Sequence, residues 1–407
     1  MHYFIYPNKD TYIVEDEYNQ NKTHQDSKDR NYGYDEILEL RKKFSDKYST
    51  TSYDVSRILI QFDYSNIETE LNNGTITNPK YFLRLYEVNG QERLNETYEL
   101  TGYMLSQSWD EGVGTLFDNP KSITGATWQS ASSAKGWTFK VSDVTFGNYY
   151  SQFDSMDVTF NAASQSSDFL STGSRSSTGG VWFVDEGFEA SQSYNSSVPD
   201  IEMDITDMVN THINEGVPNN GFLLKFSGSF EDGYKDKNST NTQDMMNQPL
   251  KFFSRHTNTI YAPKLEVRWD DVIHSVGNLN PLTMSGEVEN HIFIKGLQPS
   301  YRESEKIKFR IGCRKKYTQK TFTESMLTSS FYIPRDSGSY SIVDVGTNTP
   351  IVPFSSYTSM SCDSAGNYFN QWFNTFEPGR YYKILFKLRY DDGQEIIYDN
   401  NEEFKIN

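Results

Sequence analysis

The chain has 407 residues, with 38 Lys and Arg against 55 Asp and Glu, and so a formal net charge of −17. That surplus excludes the basic footprint that nucleic acid or an anionic membrane surface requires. At roughly 150 residues per domain the length suggests two or three domains, each able to bury its own core.

Aromatics make up 15% of the residues, with 28 Tyr and 27 Phe, so the mean hydropathy of −0.69 does not indicate disorder. Abundant Tyr, Phe, Thr, Ser, Asn and Gly is a β-rich composition. The opening Met1 to Pro7 has neither a basic n-region nor an apolar h-region, and we expect no secretory signal. No run of about 18 apolar residues occurs, so no membrane-spanning helix is expected. Synthesis in a cytoplasm follows as the expectation, and with it a reading of Cys313 and Cys362 as two free thiols.

Residues 1–50 read as an N-terminal arm with first strands. Tyr12-Ile13-Val14 fits a short strand, while Tyr34 to Phe44 suits either helix or strand. Val55 to Asp63 alternates as a strand. Phe82 to Val88 and Tyr98 to Leu105 are two more, with turn chemistry at Asn89-Gly90. Residues 109–198 form a long Ser/Gly-rich insert punctuated by aromatics. Asp200 to His212 is the one short helix expected, entered through Asp204-Ile205-Thr206-Asp207. Strands follow at Phe222 to Phe226, at Leu250 to Arg255 after a polar loop, and at Pro263 to Trp269.

Residues 271–281 read as a linker. Beyond it, His291–Leu297, Lys306–Arg314, Phe331–Ile333, Tyr340–Val345, Tyr381–Tyr390, Glu395–Tyr398 and Phe404–Ile406 read as seven short strands, the number an immunoglobulin-like sandwich needs. The expected architecture is all-β, with two β-sandwich domains: a larger jelly-roll-like one over 51–270 and a smaller immunoglobulin-like one over 282–407.

Catalytic chemistry finds little support. The six histidines (His2, His24, His212, His256, His274, His291) have no metal-ligand spacing, and neither a phosphate-binding loop nor a nucleophile elbow occurs. Trp109-Asp110-Glu111-Gly112 invites a glycosidase test, but adjacent carboxylates on a strand point apart, and a partner would have to come from elsewhere. No enzymatic activity and no cofactor are expected. The cofactor alternatives are structural calcium near Asp200, Glu202, Asp204 and Asp207, or at the tip loop Asp232 to Asp236; for the first, the plainer reading is an exposed strand face running into a helix whose N-terminus favours acids.

Trp109, Trp128, Trp137, Tyr149, Tyr150 and Trp182 are the candidate interface or sugar-binding aromatics. Fixing one residue's backbone costs about 1–2 kcal/mol, so an insert low in Leu, Ile and Val needs something to bury its rings. A partner protein would serve; the competing reading is that they fold back over the protein's own sandwich.

The strand order carries a resemblance. Ser56 to Asp63, Leu83 to Tyr86, Ser108 to Gly112, Asp204-Ile205-Thr206, Asn219 to Lys225 and Tyr261 to Val267 together resemble the DNRLRE-type β-sandwich, over about 50–270. That module is common in secreted and surface-attached bacterial proteins; the lack of a signal peptide and the insert at about 130–198 depart from it. Three stretches resemble something narrower: Trp109 to Gly114, Phe252 to Tyr261 and Cys362 to Phe369. With the C-terminal sandwich they are similar to virion structural proteins of marine, contractile-tailed bacteriophages. The resemblance implies a non-enzymatic component of the particle. The reading carried forward is a structural protein of the neck, tail or baseplate, in several copies, docked between other virion proteins and assembled inside the host. A carbohydrate- or receptor-binding module on a phage or cell surface is the alternative.

Overall fold

The computed structural model describes residues 1–15, 29–44, 53–88, 98–137, 151–152, 179–183, 187–194, 200–227, 231, 249–286, 289–317, 331–374 and 376–407. Tyr149 and Tyr150, the Asn89-Gly90 turn and most of the polar 227–248 loop lie outside them. Two units divide the chain: a larger one of 5–68 and 80–265, and a smaller one of 266–407 with 1–4 and 69–79. The residues expected as an arm therefore take part in both units, and Pro7–Glu15 is a full strand of the larger one.

The larger unit is built on a six-stranded sheet. Its order is Glu189–Tyr194, Tyr98–Met104, Phe222–Phe226, Tyr53–Phe62, Pro7–Glu15, with Lys42–Phe44 added along Tyr53–Phe62. The pairings are antiparallel. Phe222–Phe226 is buried at every residue, as is the run from Val55 to Ile60, so the centre of the sheet is covered on both faces. On one face lie Trp109, Trp128, Trp137 and Trp182, packed with Ile13, Val55, Leu59, Leu105 and Leu223. Lys80–Leu85 pairs with Ile201–Asp204, each burying alternate residues. Ile37–Leu40 pairs with Leu250–Phe253, which decides the ambiguous Tyr34 to Phe44 segment as strand, with Leu38 and Leu40 inward.

The expected helix runs from Thr206 to Glu215 and ends at Gly216, whose φ of 70° is the left-handed conformation that glycine adopts without cost. A second helix, Ser65–Asn72, corrects the expectation of one. Only Ile67 of it is buried, so it has no apolar stripe for periodicity to reveal.

Arg57, in the middle of the Tyr53–Phe62 strand, is fully buried and so needs its charge matched. Its Nε and Nη2 donate to the two oxygens of Glu231 at 3.0 and 3.1 Å, and Nη1 donates to the Gly179 carbonyl at 2.8 Å. The guanidinium lies over the Trp128 ring at 4.7 Å and the Trp182 ring at 5.5 Å. Lys225, from the neighbouring strand, also donates to Glu231. Gly179 takes φ of 109°, and a Cβ there would lie 2.7 Å from Trp128 and 2.8 Å from Arg57, so no other residue fits.

The smaller unit is a two-sheet sandwich. One sheet runs Asn290–Lys295, Lys306–Lys315, Gly366–Trp372, Ser361–Asp363; the other runs Ser300–Tyr301, Glu395–Ile406, Tyr381–Arg389, Gly338–Asp344, Pro350–Val352. Tyr381–Arg389 alternates strictly between buried and open positions. Its core is aromatic: Tyr340 stacks on Phe369 at 3.8 Å, and Phe369 on Phe309 at 5.0 Å. Two expectations are corrected here. Glu395–Tyr398 and Phe404–Ile406 belong to one bulged strand, Glu395–Ile406, and Gly366–Trp372 is a strand no pattern announced. Asn367 and Gln371 occupy its inward positions, where hydrogen bonds to the Ile333, Ser361 and Trp372 carbonyls replace apolar packing.

The Arg57 cluster predicts an asymmetry. Glu231→Ala strands two buried cations and should cost about 3–5 kcal/mol of stability in urea denaturation. Arg57→Met leaves Glu231 paired with Lys225 and should cost less; the reverse order would contradict the assignment of Glu231 as the common counter-charge.

Candidate functional site

The structure does not bring the four candidate tryptophans to the surface. Trp109, Trp128, Trp137 and Trp182 are all buried in the larger unit's own core. The expectation that they offer faces to a partner or a sugar is corrected for these four, which pack on the larger unit's own sheet. Trp109 Nε1 donates to the Asn220 carbonyl at 2.9 Å and Trp137 Nε1 to the Thr127 carbonyl at 3.0 Å, so their polar edges are used internally as well.

Three of the acids considered for calcium, Asp200, Glu202 and Asp204, do not converge. Asp200 Oδ1 accepts from the Glu87 backbone N–H at 2.8 Å, Glu202 pairs with Arg84 at 3.1 Å, and Asp204 Oδ1 accepts from the Thr206 N–H at 2.9 Å. Each has its own partner, and Asp204 prepares the helix entry instead of holding an ion.

A different cluster forms where two of the stretches singled out in the sequence meet. Glu111, from Trp109 to Gly114, faces Arg255 and His256, from Phe252 to Tyr261. Arg255 Nη1 donates to the Glu111 oxygens at 3.1 and 3.2 Å, and His256 Nε2 lies 3.4 Å from Oε1. The Pro7–Glu15 strand supplies Asp10. Its backbone N–H donates to Glu111 Oε1 at 3.0 Å, and its Oδ2 accepts from the Arg255 N–H at 2.7 Å. Burial pushes the Asp10 carboxyl up to about 7, with the Arg255 N–H drawing it back and Glu111 adding repulsion. Tyr34 stacks on the His256 ring at 4.5 Å and fixes its plane.

Asp10 is thus the carboxylate partner that Glu111 lacked in the sequence. The only mark it carries there is a charged residue inside an otherwise strand-like run. A glycosidase reading still finds no support in the geometry. Asp10 is 1% exposed, which leaves a saccharide no path to it, and both Glu111 oxygens are engaged by Arg255.

Beside this cluster a rigid loop presents apolar residues to solvent. Asn31, itself buried, braces it: Nδ2 donates to the Glu111 and Ala126 carbonyls at 2.7 and 2.8 Å, and Oδ1 accepts from Gly33 and Gly114 at 3.1 and 2.8 Å. Arg30 Nη1 reaches the Leu116 and Asp118 carbonyls at 2.9 and 3.1 Å. Gly112 passes so close that a Cβ would lie 2.3 Å from Asn31 Oδ1. From this frame project Val113, Leu116, Ile123 and above all Phe117, which is 89% exposed. Leu116 and Phe117 border a groove of about 530 Å³ with Tyr34, Ile37 and Lys251, its other walls including Asp35, Glu36 and Glu39.

No protein-family model matches the chain, and no curated protein matches it significantly. Among the described residues no helix is long and apolar enough to cross a membrane.

Glu111→Ala should lower stability by about 1–3 kcal/mol, because it leaves the buried Asp10 N–H without an acceptor. Denaturant unfolding of the variant checks this. Unchanged stability together with loss of a polysaccharide-cleaving activity would identify Glu111 as a catalytic group instead.

Proposed function

We propose that the chain is a non-enzymatic structural protein of a contractile-tailed bacteriophage particle, in the neck, tail or baseplate region, made in the host cytoplasm and present in several copies. The observation that carries this reading is the exposed apolar rim headed by Phe117 on a loop already locked by Asn31 and Arg30. A large ring held rigidly in water is costly to display and well suited to docking, since little conformational freedom remains to be lost on association. The occupant is another virion protein.

The carbohydrate- or receptor-binding alternative rests on one feature. A cleft of about 400 Å³ in the smaller unit is lined by Arg335, Asp336, Arg389 and several serines, a hydrogen-bonding surface of mixed charge. It has no aromatic ring among its lining residues to stack on a sugar face, and the tryptophans that would form a platform are in the core.

Particles purified from an infected culture test the proposal. Mass spectrometry should find the chain at several copies per particle, and a photo-reactive amino acid in place of Phe117 should cross-link it to another particle protein. Its presence only in the soluble lysate would overturn the virion assignment. Saturable binding of the free protein to host glycan, lost on Arg389→Ala, would favour the alternative.

A further inference from the structure

We infer that Asp10, Glu111 and His256 form a binding site for one first-row divalent metal ion of the zinc or manganese type. A carboxylate oxygen of Asp10, one of Glu111 and a ring nitrogen of His256 all lie within 4.8 Å of one another. Three distant segments supply them: the Pro7–Glu15 strand, the loop after Trp109 and the turn after Leu250–Phe253. The independent sign of a ligand is an orphan. Asp10 is 1% exposed, yet its Oδ1 has no hydrogen-bond partner, and His256 Nε2, also shielded from solvent, has none either. Buried polar atoms are nearly always paired, so the unpartnered Asp10 Oδ1, beside a ring nitrogen whose nearest carboxylate oxygen is 3.4 Å away, calls for a further partner at this cluster.

The other contacts hold the donors in place, and at Glu111 an ion would share the carboxylate with Arg255. Asp10 Oδ2 is held by the Arg255 N–H, Glu111 by the Arg255 guanidinium, and the His256 ring by Tyr34. Ligands about 2.1 Å from a tetrahedral ion lie roughly 3.4 Å apart, the spacing that His256 Nε2 and Glu111 Oε1 already hold, and that pair needs only to close on the Asp10 oxygen, which lies within 4.8 Å. Glu111 and His256 are both partly open and have room to do so. Imidazole nitrogen with two carboxylates suits zinc or manganese; calcium and magnesium prefer oxygen alone. Two carboxylates and Arg255 leave the cluster with one net negative charge, so a divalent ion is attracted but held less tightly than at a site without the guanidinium. Its role is structural: it ties the first long strand to the base of the loop that carries Phe117.

Calorimetry on the full chain, stripped with a chelator and titrated with zinc or manganese chloride, tests the site. One ion per chain is expected, with a rise in melting temperature that equal concentrations of calcium or magnesium do not give. His256→Gln and Asp10→Asn should each weaken binding at least ten-fold. His256 is partly exposed, so His256→Gln retains the fold and decides the matter if Asp10→Asn does not fold. Failure to bind either ion saturably, a preference for calcium, or affinity unchanged in His256→Gln would overturn the site, the last by placing the ion on other histidines or the two thiols. Binding here is independent of whether the chain is found in a particle, so the two proposals fail separately.

Discussion

Arg57 lies in the middle of a strand where neither face is open to water, and its charge dictates much of what surrounds it. An uncompensated guanidinium there would cost several kcal/mol. Compensation comes from outside the sheet: a carboxylate from Glu231, a carbonyl from Gly179 and two indole faces from Trp128 and Trp182. Segments with few Leu, Ile or Val are thereby drawn onto the sheet by one buried cation. Once there, their backbone closes on itself, with the Gly179 N–H bonded to the Trp128 carbonyl at 2.7 Å and the Ala126 N–H to the Asp110 carbonyl at 2.6 Å.

The functional consequence is a reversal of roles among the aromatics. The indoles order the loop from inside, and the residues that this order leaves outside, Phe117 first among them, are the ones available to a partner. Asn31 makes the same point with neutral groups. One buried amide satisfies four backbone positions on crossing segments, so the displayed rim is fixed before any partner arrives. A surface fixed in this way loses little freedom on association.

Much of the β architecture was legible from alternation and turn chemistry, as at Tyr381–Arg389, where every second residue is apolar and buried. Alternation failed where polar side chains take inward places, as Asn367 and Gln371 do; around Arg57 it found the strand but not that both faces of that strand are covered. The helix at Ser65–Asn72 was hidden because a single buried isoleucine makes no stripe. Glu111, Arg255 and His256 stood within stretches singled out in the sequence, but nothing local tied them to one another or to Asp10, because their proximity is a product of strand pairing. The tryptophans misled for a related reason: composition cannot tell a ring that awaits a partner from one that covers its own sheet.

The most direct measurement is amide hydrogen exchange on the free protein across residues 109–137. The N–H groups of Asp110, Ala126 and Thr127 are bonded to backbone carbonyls within this segment, beneath or beside buried tryptophans. Protection approaching that of the Tyr53–Phe62 strand is expected without any partner present. Exchange at the rate of an unstructured chain, slowed only when another protein is added, would contradict a self-ordered loop and return the tryptophans to the interface.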